Sequence, residues 1–178
     1  MAWLMRHAMG PYERRIAQRK LRLFGGLDGT VLEIGCGTGA NRRYLPNATR
    51  WIGLDPNRHM QPSACATAED LPVASASIDA VICTLVLCSV RDPKRALAEV
   101  RRVLKPGGRF LFIEHVAAPF GTFAHMGQAL LRPVCHACAG GCNPLRDTGR
   151  TIAQAGFASV ESESFSLGLP HIIGTALR

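Results

Sequence analysis

Residues 30–39, Thr-Val-Leu-Glu-Ile-Gly-Cys-Gly-Thr-Gly, join a short apolar run to three closely spaced glycines. A short apolar run that ends in glycines is typical of a buried parallel strand. Glycines also let the backbone approach a ligand closely, where side chains would collide. The stretch therefore predicts a first strand at residues 30–34, followed by a loop that binds a ligand.

The chain around this stretch alternates predicted strands and helices. The clearest helix spans residues 93–104, where Asp92 can cap the N-terminus and Lys105-Pro-Gly-Gly108 ends the helix. Further strands are predicted at 50–55, 64–67, 80–85, 109–114 and 172–176. Alternation of strand and helix predicts the α/β class with a mainly parallel sheet.

One interval is too short for this pattern. Only 22 residues separate Asp55 from Ile78, and they must hold a crossover, a strand and a second crossover. Each crossover between parallel strands usually needs a dozen or more residues. The crossover after the second strand is therefore shortened. Either an extended segment spans the sheet at about 3.3 Å per residue, or a stretch of chain is missing from the sequence, and both interpretations stay open.

Composition predicts one globular domain spanning residues 1–178. Hydrophobic residues make up 47% of the chain and the net charge is +8, a charge that attracts phosphates, nucleic acid or anionic lipid. The sequence contains no zinc finger and no continuous basic tract, which disfavours a nucleic-acid partner. Seven cysteines are too few for a disulfide scaffold, so we expect a reducing, cytoplasmic location. No apolar run approaches the roughly 20 residues that a membrane-spanning helix needs.

The first 24 residues combine apolar and basic side chains. The pattern predicts basic helices that break near Gly10-Pro11. The apolar positions are Trp3, Leu4, Met5, Met9, Tyr12, Ile16, Leu23 and Phe24, and the basic ones include Arg6, Arg14, Arg15, Arg19, Lys20 and Arg22. Two interpretations remain open, namely a helical cover at residues 1–24 and peripheral contact with a membrane surface.

The acidic residues at two predicted strand ends narrow the choice of ligand. The glycines have G-x-G-x-G spacing and Ala40 follows them, which departs from the G-x-G-x-x-G of a dinucleotide site. Glu33, before the glycines, suits a ligand with an ammonium group. Asp55, which ends the next strand, can accept hydrogen bonds from both hydroxyls of a ribose. Both features point to S-adenosylmethionine.

Several blocks in order resemble the class I S-adenosylmethionine-dependent methyltransferases, and most closely the methyltransferase-like thiol S-methyltransferases and their bacterial relatives. The blocks are Gly35-Cys-Gly-Thr-Gly-Ala-Asn41, Asp55-Pro-Asn57, Ala68-Glu-Asp-Leu-Pro72, Ile78-Asp-Ala-Val81, Cys83-Thr-Leu-Val-Leu-Cys-Ser-Val90, Leu104-Lys-Pro-Gly-Gly108, Glu114-His-Val-Ala-Ala118, Gly141-Cys-Asn143 and Pro170-His-Ile172. The resemblance implies a Rossmann-like, doubly wound sheet of about seven strands whose last strand is antiparallel.

The resemblance also implies an activity. We expect methyl transfer from S-adenosylmethionine to a small molecule, with S-adenosylhomocysteine as the product and a thiol as the preferred acceptor. Methylation of an amine or hydroxyl, a non-catalytic cofactor-binding subunit and an RNA methyltransferase are the alternatives. The mammalian members begin with a hydrophobic membrane anchor that is not seen here, and the oligomeric state is not predicted.

The site residues follow from the same blocks. Expected cofactor contacts are Glu33, Gly35, Cys36, Gly37, Thr38, Gly39, Asn41, Asp55, Pro56, Asn57, Ala68, Glu69, Thr84 and Leu85. In many class I enzymes an Asp that holds the adenine precedes the Ala-Glu pair; here Thr67 stands there, so backbone near Ala68 is expected to select adenine.

Expected acceptor contacts are Cys88, Glu114, His115, Cys142, Asn143, Arg146 and His171, with a cap at residues 119–150 near the acceptor. His115 is the candidate base, because an imidazole pKa near 6.5 suits neutral pH; a purely structural histidine is the alternative. No metal site is predicted. For Cys135, Cys138 and Cys142, metal binding, redox or metalloid-binding thiols and plain packing stay open.

Overall fold

A computed structural model of the chain describes residues 2–60 and 62–178; for residues 2–9 the side chains are outside this description. The strands are β1 (Thr30–Ile34), β2 (Arg50–Leu54), β3 (Ile78–Thr84), β4 (Leu104–His115), β5 (Ser159–Leu167) and β6 (Leu169–Leu177). The α-helices are α1 (Ala2–Phe24), α2 (Pro93–Val103), α3 (Phe123–Cys138) and α4 (Thr148–Ala153), and short 3₁₀ turns span Ala40–Tyr44 and Arg58–Met60.

Within the described residues, the six strands form one sheet in the order β2-β1-β3-β4-β6-β5. β1 pairs in parallel with β2 on one side and β3 on the other, and β3 pairs in parallel with β4. β6 runs antiparallel between β4 and β5. The prediction of a mostly parallel α/β sheet with an antiparallel last strand is confirmed, but the described sheet has six strands where about seven were predicted.

Apolar side chains cover both faces of the sheet. Because neighbouring side chains on a strand point to opposite faces, Leu32 and Val81 pack in one cluster with α2, while Val31 and Ile82 pack in another with the end of α1. Helices therefore lie on both faces, which is the doubly wound arrangement. Between β1 and β2, however, the chain forms only a 3₁₀ turn instead of the expected helix.

The predicted strand at residues 64–67 is wrong. That segment makes a single parallel bridge, between Leu54 and Ala64, and extends along the edge of β2. Ser63 N donates to Gly53 O at 2.8 Å and Ala66 N to Asp55 O at 3.3 Å. In the described residues of the short interval after β2, a 3₁₀ turn and an extended segment replace a helical crossover and a full strand, because too few residues are present for both.

The end of one helix, the beginning of one strand and the presence of another strand also differ from the predictions. α2 ends at Val103 and β4 begins at Leu104, so the Lys-Pro-Gly-Gly segment expected to separate them lies in β4. β5 was not predicted, because its Ser- and Glu-rich sequence lacks a strong apolar alternation. Its pairing along the whole length of β6 stabilises it at the edge.

α1 is continuous, whereas the sequence predicted a break at Gly10-Pro11. Proline removes one helical hydrogen bond, but the helix after Pro11 packs tightly. Ile16, Lys20 and Phe24 recur every four residues, share one face and are almost fully buried. That burial holds the helix in place. The predicted roles of residues 3–9 concern side chains outside the described part.

None of the helices in residues 2–60 and 62–178 has the length and hydropathy that crossing a bilayer requires.

Candidate active site

The loop after β1 lies where the chain order of the sheet reverses. From β1 the chain goes to β2 on one side and then returns to β3 on the other, and ligands of open α/β sheets bind at the carboxyl ends of strands at such a point. Gly35 and Gly37 both have positive φ, at 61° and 51°. A Cβ at Gly35 would overlap Val86, whereas one at Gly37 would meet no described atom within 4 Å. Gly37 therefore faces open space that a ligand can fill.

The Glu33 carboxylate is the centre of a buried polar cluster beside this loop. It accepts hydrogen bonds from Asn41 Nδ2 at 2.8 Å and Trp51 Nε1 at 2.7 Å. Burial raises the pKa of Glu33 to about 7, although the hydrogen bonds from Trp51 and Asn41 and the nearby Lys20 charge oppose the rise. Asn41 Nδ2 also donates to Thr84 Oγ1 at 3.1 Å. Asn41 Oδ1 is buried with no partner among the described residues. Asn41 Oδ1 and the Glu33 carboxylate can therefore accept further hydrogen bonds from a cationic group.

Asp55 connects the ends of β1 and β2. Its Oδ2 accepts from Gly37 N at 2.9 Å and its Oδ1 from Asn57 N at 2.8 Å. Asn57 Oδ1 in turn accepts from His59 N at 3.0 Å. Asp55 thus fixes the glycine loop.

A cavity of about 700 Å³ opens at the carboxyl end of the sheet. The glycine loop, the end of β3, the segment after α3 and one side of α1 enclose it. Of the predicted site residues, Glu33, Gly35, Cys36, Gly37, Thr38, Asn41, Thr84, Leu85, Cys88, His115 and Cys142 line this first cavity. The structure thus brings together residues that were predicted for the cofactor and for the acceptor.

A second cavity, of about 520 Å³, adjoins the first through Gly35 and Ser89. Pro56, Ala68 and Glu69, which were all predicted as cofactor contacts, line this second cavity. The Glu69 carboxylate, however, accepts from Arg91 N at 2.8 Å and from Asp92 N at 3.2 Å. It therefore anchors the segment before α2.

Three buried side chains from separate segments meet on the wall of the first cavity. Cys88 follows β3, His115 ends β4 and Cys142 follows α3. His115 Nε2 lies 3.0 Å from Cys142 Sγ, and the two sulfurs and the imidazole nitrogen all lie within 4.8 Å of one another. The proximity of Cys88 lowers the pKa of the Cys142 thiol, while the proximity of Cys142 together with burial raises the pKa of Cys88.

Glu114 is buried behind this wall. Its Oε1 accepts from Val86 N at 2.9 Å, Leu87 N at 3.2 Å and Cys83 Sγ at 3.1 Å, and burial raises its pKa. Leu85, at the start of the same turn, has a φ of 57°, which is uncommon for a residue other than glycine. Glu114 therefore holds the strained turn that leads to Cys88; it does not line the cavity.

Two other predicted acceptor residues stand outside the cavity wall. The Arg146 guanidinium donates from Nη1 to the carbonyls of Leu87 and Val90. Asn143 N donates to Cys88 O at 3.0 Å, and Asn143 Oδ1 accepts from Leu145 N. Both residues hold the segment after α3 against the turn after β3, and neither residue lines the first cavity.

His171 lies opposite His115 in the β4–β6 ladder. Its Nδ1 lies 2.7 Å from Leu169 O, and its ring stacks on Phe165 at 5.1 Å between centroids. Burial lowers its pKa. The ring of Tyr12 from α1 lies 5.7 Å away, so His171 packs behind the cavity rather than lining it.

The sequence did not single out the α1 residues or Trp51 as parts of the site. Tyr12 and Lys20 line the first cavity, Lys20 forms a 2.6 Å ion pair with Glu13, and the Tyr12 hydroxyl is buried without a partner among the described residues. The available signal was the apolar and basic pattern of residues 1–24, which predicted a helical cover.

The predicted C-x-x-C cluster is split by the structure. Cys135 and Cys138 lie in the last turn of α3, Cys138 is exposed, and only Cys142 reaches the cavity.

Comparison with known proteins places this geometry in a family. A family model described as "Methyltransferase domain" matches residues 32–112. The human thiol S-methyltransferase TMT1A is 37% identical over 198 aligned positions, covering 94% of this chain and 81% of the relative. The rat thiol S-methyltransferase TMT1B is 39% identical over 84% of this chain and 70% of the relative. The alignment to TMT1A is longer than this chain's 178 residues, so some positions of the relative have no counterpart here.

Solved structures show the same fold at low sequence identity. YcgJ from Bacillus subtilis superimposes with a TM-score of 0.71 at 17% identity, covering 85% of this chain and 92% of YcgJ. Phosphoethanolamine N-methyltransferase 2 from Haemonchus contortus, solved with S-adenosyl-L-methionine, gives 0.67 at 15% identity and covers 90% of this chain and 52% of that one. On the strength of the near end-to-end match to TMT1A, this chain belongs to the thiol S-methyltransferase family of S-adenosylmethionine-dependent methyltransferases.

Proposed function

We propose that this chain transfers the methyl group of S-adenosylmethionine to the thiol of a small molecule. The observation that carries the proposal is the 37% identity to human thiol S-methyltransferase TMT1A over 94% of this chain and 81% of that relative. The cavity supports it, because the cofactor loop and a wall of sulfur and imidazole groups line the same space.

The glycine loop and its carboxylates fit S-adenosylmethionine. Glu33 and the unpartnered Asn41 Oδ1 offer acceptors to its ammonium group. We assign the ribose hydroxyls to the Asp55 carboxylate, whose oxygens can each accept a further hydrogen bond. The adenine then belongs in the second cavity, beside Ala68 and Pro56. When bound, the cofactor supplies an electrophilic methyl group on a sulfonium.

Methyl transfer of this kind needs positioning and exclusion of water more than a covalent residue. The acceptor belongs in the first cavity against Cys88, His115 and Cys142, which are the buried groups on the wall facing the glycine loop. A free thiol, with a pKa of about 8.5, needs only modest help to become a thiolate. We assign that help to this wall, and to His115 in particular.

We further propose that residues 1–178 act as a single domain whose α1 and 119–150 segments cover the site. α1 contributes Gly10, Tyr12 and Lys20 to the cavity, and Ala139 and Cys142 close it from the other side. Both segments thus shield the transferred methyl group from water.

We also propose a cytoplasmic protein that touches a membrane surface through Phe120 and α3, whereas the sequence pointed to the basic N-terminus for this contact. Phe120 and Phe123 are both 92% exposed and Leu130 is 81% exposed. No acidic residue occurs between Glu114 and Asp147, and the whole chain carries +8. An exposed apolar helix on a cationic protein suits an anionic lipid surface. The seven free cysteines suit a reducing compartment.

The activity is tested with labelled S-adenosylmethionine and a panel of thiols, amines, phenols and RNA. We expect label in thiols, and less label in the same thiols with the Asp55→Ala variant when the cofactor concentration is below saturation. Label only in amines, phenols or RNA, or no transfer despite measurable cofactor binding, would overturn the thiol assignment.

Membrane contact is tested by co-sedimentation with phosphatidylcholine vesicles with and without phosphatidylserine. We expect binding to the anionic vesicles and loss of most of it in the Phe120→Ser/Phe123→Ser variant. Leu177→Ser is the control, because it makes the same type of change at an exposed apolar residue of β6. Equal sedimentation of the double variant and the parent would refute the role of α3.

A further inference from the structure

Cys88, His115 and Cys142 form a group with the donor set of a metal site. Their exposed fractions are 2%, 6% and 8%, and each offers one ligand atom, with all three atoms within 4.8 Å of one another. Among the described residues this is the one group of three or more such side chains close enough to hold an ion. It brings together residues whose sequence separation hides them from any motif search.

The distances are close to those of a tetrahedral zinc site. Zinc bonds of about 2.3 Å to sulfur and about 2.0–2.1 Å to nitrogen place neighbouring ligand atoms about 3.5–4 Å apart. His115 Nε2 and Cys142 Sγ are 3.0 Å apart, and no pair in the group exceeds 4.8 Å. Shifts of under about 1 Å, within the range of side-chain rotation, would therefore complete the geometry.

The imidazole nitrogen that faces the two sulfurs, Nε2 of His115, can serve as a metal ligand. His115 Nε2 points at the sulfurs, while Nδ1 lies on the far side of the ring, buried and without a partner among the described residues. The backbone fixes all three side chains: His115 is paired in the β4–β6 ladder, and Asn143 N, next to Cys142, donates to the carbonyl of Cys88. Two thiolates and one Zn²⁺ would also sum to zero charge, which suits a buried wall.

We propose that Cys88, His115 and Cys142 bind one Zn²⁺ whose fourth coordination position opens into the first cavity and takes the acceptor thiolate. Three protein ligands with one open position are the arrangement of catalytic zinc, whereas structural zinc has four. This inference rests on the proposed function, since it assigns the open position to a thiol.

The chemistry balances without a further reactant. Coordination to zinc deprotonates a thiol outright, and its proton leaves to solvent. The acceptor sulfur then forms a bond to the methyl carbon while the bond from that carbon to the sulfonium sulfur breaks. The electron pair of the broken bond stays on the departing thioether, and the methylated acceptor leaves the zinc. His115 assists as a zinc ligand rather than as a proton acceptor.

Metal binding is tested on the reduced, full-length protein with Zn²⁺ in competition with a chromophoric chelator. We expect one equivalent per chain, and at least about tenfold weaker binding in Cys88→Ser and in Cys142→Ser, since even outer-shell changes cost that much. Cys138→Ser is the matched control, because it removes an exposed thiol four residues from Cys142. Thermal melts of each variant show whether it is folded. Absence of stoichiometric zinc, or equal affinity in the folded variants and the control, would overturn the proposal.

The open position is tested by replacing zinc with Co²⁺, whose visible spectrum reports its ligands. Thiolate ligation should give a sulfur-to-cobalt charge-transfer band that Cys138→Ser keeps and Cys142→Ser weakens. Adding a small thiol without S-adenosylmethionine should shift the spectrum. A spectrum that thiols leave unchanged would refute acceptor coordination. Methylation by metal-free protein would refute the zinc step and leave the proposed function intact. Zinc binding without any thiol methylation would refute the proposed function and leave the zinc site intact.

Discussion

The carboxylate of Asp55 accepts a hydrogen bond from the backbone N–H of Gly37 at 2.9 Å. The acid that ends β2 thus holds the loop that follows β1, and it does so from a position that is 8% exposed. Asp55 fixes the loop, and in the proposed site we assign it a second task, which is to accept hydrogen bonds from the ribose hydroxyls.

Asp55→Ala should weaken S-adenosylmethionine binding by about 1–3 kcal/mol, because charge-assisted hydrogen bonds are lost. Isothermal titration calorimetry measures the change. Asp28→Ala, at an exposed position before β1, is the control and should leave affinity unchanged. Unchanged affinity in the Asp55 variant would remove this residue from the site.

Gly37→Ala should reduce cofactor affinity at least about tenfold, which corresponds to a loss of about 1.4 kcal/mol in binding free energy. The new Cβ would project into open space at the cavity, and φ is 51° there. Gly107→Ala is the matched control, since Gly107 also has positive φ, at 76°, and open space, but lies at the start of β4, away from the cavity. Both variants carry similar backbone strain, so equal loss of affinity in the two would locate the ligand elsewhere.

Cofactor affinity should fall as the pH is lowered through about 7, because burial raises the pKa of Glu33 to about 7 and only the ionised carboxylate attracts an ammonium group. Glu33→Gln should bind more weakly at pH 8 and lose this dependence. Calorimetry between pH 6 and 8 decides, and a parent affinity that does not vary with pH would contradict the assignment.

The same pKa has a consequence for stability. The folded-state pKa of Glu33 lies above its ordinary value of 4.5, so the folded protein binds this proton more tightly than the unfolded chain. The stability that this tighter proton binding contributes to the folded protein is fully present below pH 4.5 and is lost as the pH rises through about 7. Without cofactor, Glu33→Gln should therefore gain stability relative to the parent at pH 8 but not at pH 4. Urea denaturation at the two pH values measures the difference.

Arg146→Ala should lower the free energy of unfolding by about 1–3 kcal/mol, because the carbonyls of Leu87 and Val90 lose their donor. Chemical denaturation measures it. Arg150→Ala, at an exposed residue of α4, should stay within about 0.5 kcal/mol of the parent. A fully stable Arg146 variant with a raised acceptor KM would instead support the original prediction that this guanidinium binds substrate.

The amino-acid sequence by itself determined the class of fold and the position of the glycine loop after β1. β1 was predicted at residues 30–34 and observed there, because local chemistry sufficed: an apolar run, glycines and an acid at the strand end. The cap of α2 by Asp92 was equally local, and its side chain accepts from Lys94 N and Arg95 N.

Only the tertiary structure decided how distant residues combine. A nine-residue β5 forms because β6 pairs with it, and Arg146 fastens carbonyls more than fifty residues away in the chain. Cys88, His115 and Cys142 lie 27 positions apart from one to the next, which is too far for any local spacing rule to join them. They meet because β3 and β4 end at one edge of the sheet and the segment after α3 packs on that edge. Contacts of this kind depend on the long-range packing of separate elements, which local sequence does not encode.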